Sequence, residues 1–180
     1  MDKIIKIFVA IVISVIGLTT LIFVAFYQIY PLKYKESITY YSKNYHIPAS
    51  LVASLINVES HFDKNATSSV GAIGLMQLLP TTASFIAAKE KLDASNLHEP
   101  NTNIELGCAY LKYLKDKFDD FFTTLCAYNA GEGNVMTWLA NKNYSQNQQT
   151  LSTTPFAATN YYANKVLHDE KIYQKFFTQN

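Results

Sequence analysis

Between Lys6 and Lys33 the chain runs 26 residues without a charge, "IFVAIVISVIGLTTLIFVAFYQIYPL". No other feature restricts so strongly what the sequence can become. As a helix, the stretch from Ile7 to Tyr27 would be about 31 Å long, enough to cross a bilayer core. A cleaved secretory leader fits poorly, because the apolar run is too long and no small-x-small site follows it. The expectation is a retained transmembrane anchor over residues 1–30 and a separate domain over 31–180. Lys3 and Lys6 favour a cytoplasmic amino terminus, opposed in part by Lys33 and Lys35 beyond the span.

About 145 residues then lie outside the membrane, enough for one compact core. The formal net charge is +1, and no basic block occurs anywhere. Such a chain has no general electrostatic pull toward nucleic acid, so that partner is not expected. Cys108 and Cys126 sit in apolar settings ("LGCAYL", "TLCAYN") and lack metal-ligand spacing. They read as small buried hydrophobes, with a disulfide between them left open. No metal site is expected.

Beyond residue 31 the periodicity is helical almost throughout, with no convincing alternation. Tyr34, Ile38, Tyr41 and Tyr45 mark the face of a first helix. Pro48 fits the first position of a second helix, which runs toward Glu59. Pro80 opens "PTTASFIAAKEKL". Asn101 to Asn103 offer caps for "NIELGCAYLKYLKDKF", where Gly107 implies close packing. "DFFTTLCAYNA" stops at Gly131, and another helix starts near Asn134 with Trp138 and Leu139 inward. Residues 143–154 form a loop, and "FAATNYYANKVLHDEKIYQKFF" supplies the last helix. The domain reads as all-α.

Glu59 is the residue that does not fit its surroundings. Leu51, Val52, Leu55 and Ile56 form an apolar stripe, and Glu59 continues it in phase. A carboxylate so placed is desolvated, which penalises its charged form and raises its pKa. A carboxylic acid still protonated near neutral pH can protonate a leaving oxygen. A glutamate at a helix end, with its head solvated and its stem packed, is the plainer alternative. The following residues favour the chemical reading. Ser68, Ser69, Gly71 and Gly74 make a short loop where backbone can approach a ligand. "GLMQLLP" sets the amide of Gln77 among apolar neighbours, where it needs a partner. "AYNAGEGNV" puts Tyr128 and Asn129 at a helix end, an aromatic face and an amide suited to sugar rings and N-acetyl groups. As structure alone, Tyr128 could be core and Asn129 a helix cap.

Taken in order, "ESHF…ATSSVGAIGLMQLLPTTA", "NIELGCAYLKYL", "AYNAGEGNV" and "PFAATNYYANKVL" resemble the lytic transglycosylases related to the soluble lytic transglycosylase catalytic domain. These form the goose-type-lysozyme-like branch of the lysozyme superfamily. The resemblance runs from about Tyr34 to Leu167 and implies a lysozyme-like helical domain after the anchor. It implies that Glu59 is the catalytic acid and Ser60 its accompanying serine. Ser68, Gln77 and Leu79 match groove residues, and Gly71 and Gly74 match glycines that shape the groove. Tyr128, Asn129 and Tyr162 match the later blocks. Leu79 stands where many members have methionine, and Ala158 where many have glutamate.

The residues supply no good second carboxylate. Asp63 is one turn past Glu59 and reads as exposed, and Glu132 lies between glycines at a loop tip. A single acid suits a substrate that supplies its own nucleophile. The resemblance implies that reaction on peptidoglycan glycan strands, without a cofactor. Glu59 would protonate the oxygen between N-acetylmuramic acid and N-acetylglucosamine, then take the proton of the C6 hydroxyl as it attacks C1. The product would be a 1,6-anhydro sugar, made by a single-pass protein of the bacterial cell membrane with its domain on the outer side. Two alternatives stay open: a muramidase of the same fold, and an inactive membrane-anchored glycan-binding protein.

Overall fold

The structure is a computed structural model, and it describes residues 2–178. Two compact units divide the chain, one up to Leu32 and one from Lys33 onward. The first contains a single helix, α1 (Asp2–Ile29), with no buried residue. Its apolar side chains are exposed along its whole length, as at Ile4, Phe8, Leu18 and Phe23. It is long and apolar enough to cross a membrane. Helix formation here leaves the hydrophobic surface uncovered by protein.

The second unit is all-α. Its helices are α2 (Lys35–Asn44), α3 (Ala49–Ser60), α4 (Pro80–Glu90), α5 (Pro100–Lys117), α6 (Phe121–Ala130), α7 (Glu132–Leu139) and α8 (Ala157–Phe177). No strand forms among the described residues; two isolated bridges, Thr67 with Ile73 and Ile73 with Leu78, fold the loop after α3 back on itself. The central helix is α3, packed most extensively against α8 and also against α2. The expected apolar stripe is there, with Leu51, Val52, Leu55 and Ile56 fully buried. The opposite face is buried as well. Ser50 and Ser54, one turn apart, let α8 approach closely: the Ser54 hydroxyl donates to the Val166 carbonyl (2.6 Å) and Ser50 to Glu170 Oε1 (3.3 Å). The helix is therefore enclosed rather than amphipathic, a feature set by α8 and not by its own periodicity.

Several helix ends differ from expectation by a residue or two. Pro48 is the N-cap of α3 rather than its first residue. The first turn of α5 is capped by Glu99, whose carboxylate accepts from the Thr102 N–H (2.7 Å), and not by the asparagines. Gly131 both ends α6 and precedes α7, which starts at Glu132 instead of Asn134. Trp138 and Leu139 are buried, as their phase predicted. Cys108 and Cys126 are buried free thiols.

Candidate active site

Helix α3 ends at His61 and Phe62, which both take left-handed backbone (φ 51° and 61°). Two successive left-handed residues reverse the chain sharply, and Phe62 is buried facing Tyr173 at a ring separation of 6.3 Å. Burying that ring offsets the cost of an unusual φ for a bulky residue. Glu59 thus stands on the last turn of a buried helix, itself half-buried, just before the chain leaves for the loop.

Desolvation raises the Glu59 pKa to about 7, partly countered by a hydrogen bond from Tyr162. The Tyr162 hydroxyl donates to Glu59 Oε1 at 2.5 Å. That length suits a hydroxyl on a carboxylate. Burial and that one neutral hydrogen bond are the causes of the shift. Tyr162 and Tyr128 both have phenols pushed well above their usual range, first by burial and next by the nearby Glu59 charge. Neither will ionise at physiological pH, so each serves as a hydroxyl donor.

Polar clamps hold the loop of residues 61–79 against this helix. The Ser60 hydroxyl donates to the Leu75 carbonyl (2.8 Å) and also faces its own helix at Ile56 (3.2 Å). Tyr128 donates to the Met76 carbonyl (2.8 Å). The Met76 N–H donates to Asn103 Oδ1 (2.8 Å), so both polar ends of that residue are fixed. Asn103 is completely buried, and its Nδ2 donates to the carbonyls of Ile73 (3.0 Å) and Leu97 (2.8 Å). The buried Met76 side chain lies on α5 at Gly107, where a Cβ would collide with its sulfur. The close packing expected of Gly107 is therefore packing against the loop that flanks Glu59. Gly74 has φ 80°, and a Cβ there would meet Asn103 and the Leu97 carbonyl. Only glycine satisfies both the conformation and the space.

The remaining expected residues divide into two groups. Gln77, Leu79, Tyr128 and Asn129 line one cavity of about 240 Å³, together with Thr82 and Tyr110. Gln77 has left-handed backbone (φ 47°), and its Nε2 donates to Ala66 (3.2 Å) and Gly74 (3.0 Å) carbonyls. The partner its amide requires is thus the loop itself, although Oε1 accepts nothing from the described residues. Asn129 is exposed and accepts from the Thr159 hydroxyl of α8 (3.0 Å). Ser68 and Gly71 do not line this cavity. They form a turn, in which Ser68 Oγ accepts from the Ala72 N–H (3.0 Å) and Gly71 takes φ 81°.

Ala158 is exposed, one turn before Tyr162 on α8. Asp63 is also exposed. Glu132 is not at a loop tip: it opens α7 and accepts from Lys117 Nζ (2.8 Å) and the Tyr113 hydroxyl (3.3 Å). Thr82 and Tyr110, which line the cavity, and Asn103, which holds the loop, are residues that sequence reasoning missed. An asparagine three residues after a proline at a helix start reads as a cap, and nothing local reports its distant partners.

The family described as Transglycosylase SLT domain matches residues 36–151. The soluble lytic murein transglycosylase of Salmonella typhimurium is 33% identical over 156 residues, covering 83% of this chain and 24% of that protein. Among solved structures, an inactive mutant of the lytic transglycosylase Slt from Pseudomonas aeruginosa superposes with a TM-score of 0.73 at 30% identity, over 84% of this chain and 25% of that one. The 70 kDa soluble lytic transglycosylase of Escherichia coli also gives 0.73, at 31% identity over 83% of this chain and 25% of its own. This chain spans about a quarter of the length of these relatives. The helical unit has the lysozyme-like fold of these catalytic domains, and the chain belongs to the transglycosylase SLT domain family.

Proposed function

We propose that the protein is a peptidoglycan lytic transglycosylase in which Glu59 acts first as general acid and then as general base. The observation that carries this reading is the state of Glu59. Its pKa of about 7 keeps a proton available near neutrality, and the carboxylate left after donation is basic enough to take one back. Most glycosidases place two carboxylates about the scissile bond. Here Glu59 has a phenol for a neighbour instead, so the second function falls to the substrate. The proton moves from Glu59 to the bridging oxygen, and the bond between that oxygen and C1 of the muramic acid residue breaks. Its C6 hydroxyl then attacks C1 and returns a proton to Glu59, closing a 1,6-anhydro ring. Tyr162 supports the carboxylate through its hydrogen bond, which is strongest when Glu59 is charged.

Gln77, Leu79, Tyr128 and Asn129 are assigned to substrate contact in the 240 Å³ cavity. Ser60, Ser68, Gly71 and Gly74 shape the loop that bounds it. Residues 1–30 act as a single-pass anchor that keeps the domain of residues 31–180 beside the cell wall, on the outer face of a bacterial cell membrane. The exposed apolar surface of α1 supports this, because water would leave it uncovered.

Digestion of purified peptidoglycan in heavy-oxygen water tests the reaction. Products of the proposed route carry no label and no new reducing end. Ala158 favours a second reading, hydrolysis, since the residue many relatives place there is reduced to an exposed methyl group beside the Tyr162 turn. Labelled reducing ends as the main product would establish a muramidase, and no cleavage at all would leave a glycan-binding protein.

A further inference from the structure

Thr39, Thr124, Thr137 and Thr178 each return their hydroxyl to the carbonyl four residues earlier in their own segment. Thr159 does not. The residue four positions before it is Pro155, which lies ahead of the first turn of α8. Its hydroxyl instead crosses to α6 and donates to Asn129 Oδ1 (3.0 Å). Thr159 is 4% exposed, so that proton is hidden from water and needs an acceptor. Asn129 is its one partner among the described residues.

The turn that carries Thr159 is fastened by the next residue. Asn160 Oδ1 accepts from the Thr154 N–H (3.1 Å), and its Nδ2 donates to the Thr154 carbonyl (3.0 Å) and to Thr153 Oγ1 (3.1 Å). No side chain caps α8 at Phe156, and this brace fixes the entry of the helix. Tyr162 follows Thr159 by three residues, on the same face, with its hydroxyl on Glu59.

Asn129 is the last residue but one of α6, is exposed, and lines the 240 Å³ cavity. An unrestrained amide there could turn either its oxygen or its N–H groups to a ligand. Here Oδ1 is committed to Thr159, and Nδ2 has no partner among the described residues. The reverse orientation would set the Thr159 proton against N–H groups and leave a buried donor unsatisfied.

We propose that Thr159 is a positioning residue. Its hydroxyl turns the Asn129 amide so that N–H groups, and not the carbonyl oxygen, meet an acceptor oxygen of the bound glycan. One face of α8 then orients both the acid, through Tyr162, and the amide, through Thr159. The assignment rests on the peptidoglycan reading above.

Full-length protein in detergent, with Glu59→Gln as an uncleaving background, is titrated with purified glycan strands. Thr159→Val keeps the side-chain shape without the hydroxyl and weakens binding by about fivefold, the worth of one oriented neutral hydrogen bond. Thr159→Ser restores the affinity. When Asn129 is already alanine, Thr159→Val has no further effect, because it acts through that amide. Asn129→Asp keeps an acceptor for Thr159 but has no N–H, so it binds as weakly as Asn129→Ala. With Glu59 intact, Thr159→Val raises KM more than it lowers kcat, and the alkaline limb of the pH–rate profile stays near pH 7. Undiminished affinity in Thr159→Val overturns the proposal, as does a loss that persists in full when Asn129 is alanine. Asn129→Asp binding like the parent overturns it too, and this exposed position decides the matter should the buried valine prevent folding. Absence of cleavage by the unaltered protein would instead sink the transglycosylase reading, while leaving these binding measurements intact.

Discussion

Two walls meet at Glu59, and they differ in what fixes their backbone. The helical wall is α3 pressed against α8, with Leu51, Val52, Leu55 and Ile56 at zero exposure. Apolar burial holds it, at about 1.5–3 kcal/mol for each large side chain. The loop wall, residues 61–79, has little regular structure; it buries Phe62, Leu75, Met76 and Leu78, and its backbone is fixed in place by hydrogen bonds that Ser60 and Tyr128 donate and Asn103 accepts from Met76. Both walls bury apolar side chains, but without a helix's internal bonds the loop's backbone relies on side-chain clamps, and loss of one leaves buried groups unpaired. The helical wall fixes where the acid stands, while the loop wall fixes what the acid can meet.

The largest expected effect strikes the helical wall without moving it. Glu59→Gln keeps the shape and removes the proton, so cleavage falls by roughly two to four orders of magnitude. The same substitution has a stability signature. Glu59 has a folded pKa of about 7 against an ordinary 4.5, so the folded state binds its proton more tightly than the unfolded chain does. That contribution is complete below about pH 4.5 and is lost as pH rises through about 7. Glu59→Gln should therefore be more stable than the parent at pH 8, by on the order of 2 kcal/mol after allowing for solvent screening, and nearly equal at pH 4. Denaturant midpoints at the two pH values check it; a variant retaining a tenth of normal cleavage would show that Glu59 is not the acid.

Next comes Asn103→Ala, which attacks the loop wall from behind. It leaves the Met76 N–H and the Leu97 carbonyl without their partner, while the Ile73 carbonyl keeps the Leu78 N–H (3.1 Å). The cost is on the order of 3 kcal/mol, with cleavage lowered because Met76 and Gln77 lose their placement. Asn103→Asp separates the clamp's two halves, since it keeps the acceptor for Met76 but sets a carboxylate against two carbonyls. It should be no better than alanine. Native midpoints and full activity in both variants would mean that the Gly107 packing alone secures the loop.

The same contrast explains what the sequence revealed. The helical wall was legible because burial writes a pattern: Glu59 stood in phase with Leu55 and Val52, Pro80 opened α4, and Gly131 closed α6. Even there, the buried Ser50 and Ser54 face depended on α8, with Ser54 bonded to a carbonyl 112 residues away. The loop wall was legible only as composition. Ser68, Gly71, Gly74 and Gln77 announced a tight polar loop, but hydrogen bonds leave no period. Asn103 passed for a cap, and the Tyr162 bond to Glu59 spans 103 residues. Family resemblance located Tyr162; its own helix gave no hint.

Tyr162→Phe has a smaller effect and tests communication from α8 to the acid. Its hydrogen bond lowers the Glu59 pKa, so removing the hydroxyl moves that pKa upward from about 7. The alkaline limb of the pH–rate profile should shift to higher pH. Maximal cleavage should drop by about tenfold, because the carboxylate that forms after proton donation loses its support. A limb that stays in place, or moves toward acid, would show that Tyr162 does not act on Glu59.

Ser60→Ala is the mildest change and the one that tests whether the walls act as a unit. Ser60 belongs to the helix, yet its hydroxyl reaches the Leu75 carbonyl of the loop. Removing it deletes one neutral hydrogen bond, worth about 1 kcal/mol, and leaves the apolar packing of α3 untouched. If the walls are coupled at this point, the effect exceeds its energy: the loop shifts relative to Glu59, and cleavage falls severalfold through kcat. Ser60→Thr keeps the hydroxyl and should recover most of that loss where its methyl group fits beside Leu75. If the walls are independent, Ser60→Ala changes the denaturant midpoint alone, and the threonine variant has no activity to rescue. The pH–rate profile supplies the discriminating reading. Tyr162 still bonds Glu59 in either serine variant, so the alkaline limb should stay near pH 7 while its height falls. A displaced limb would place Ser60 in the electrostatics of the acid instead of at the seam between helix and loop.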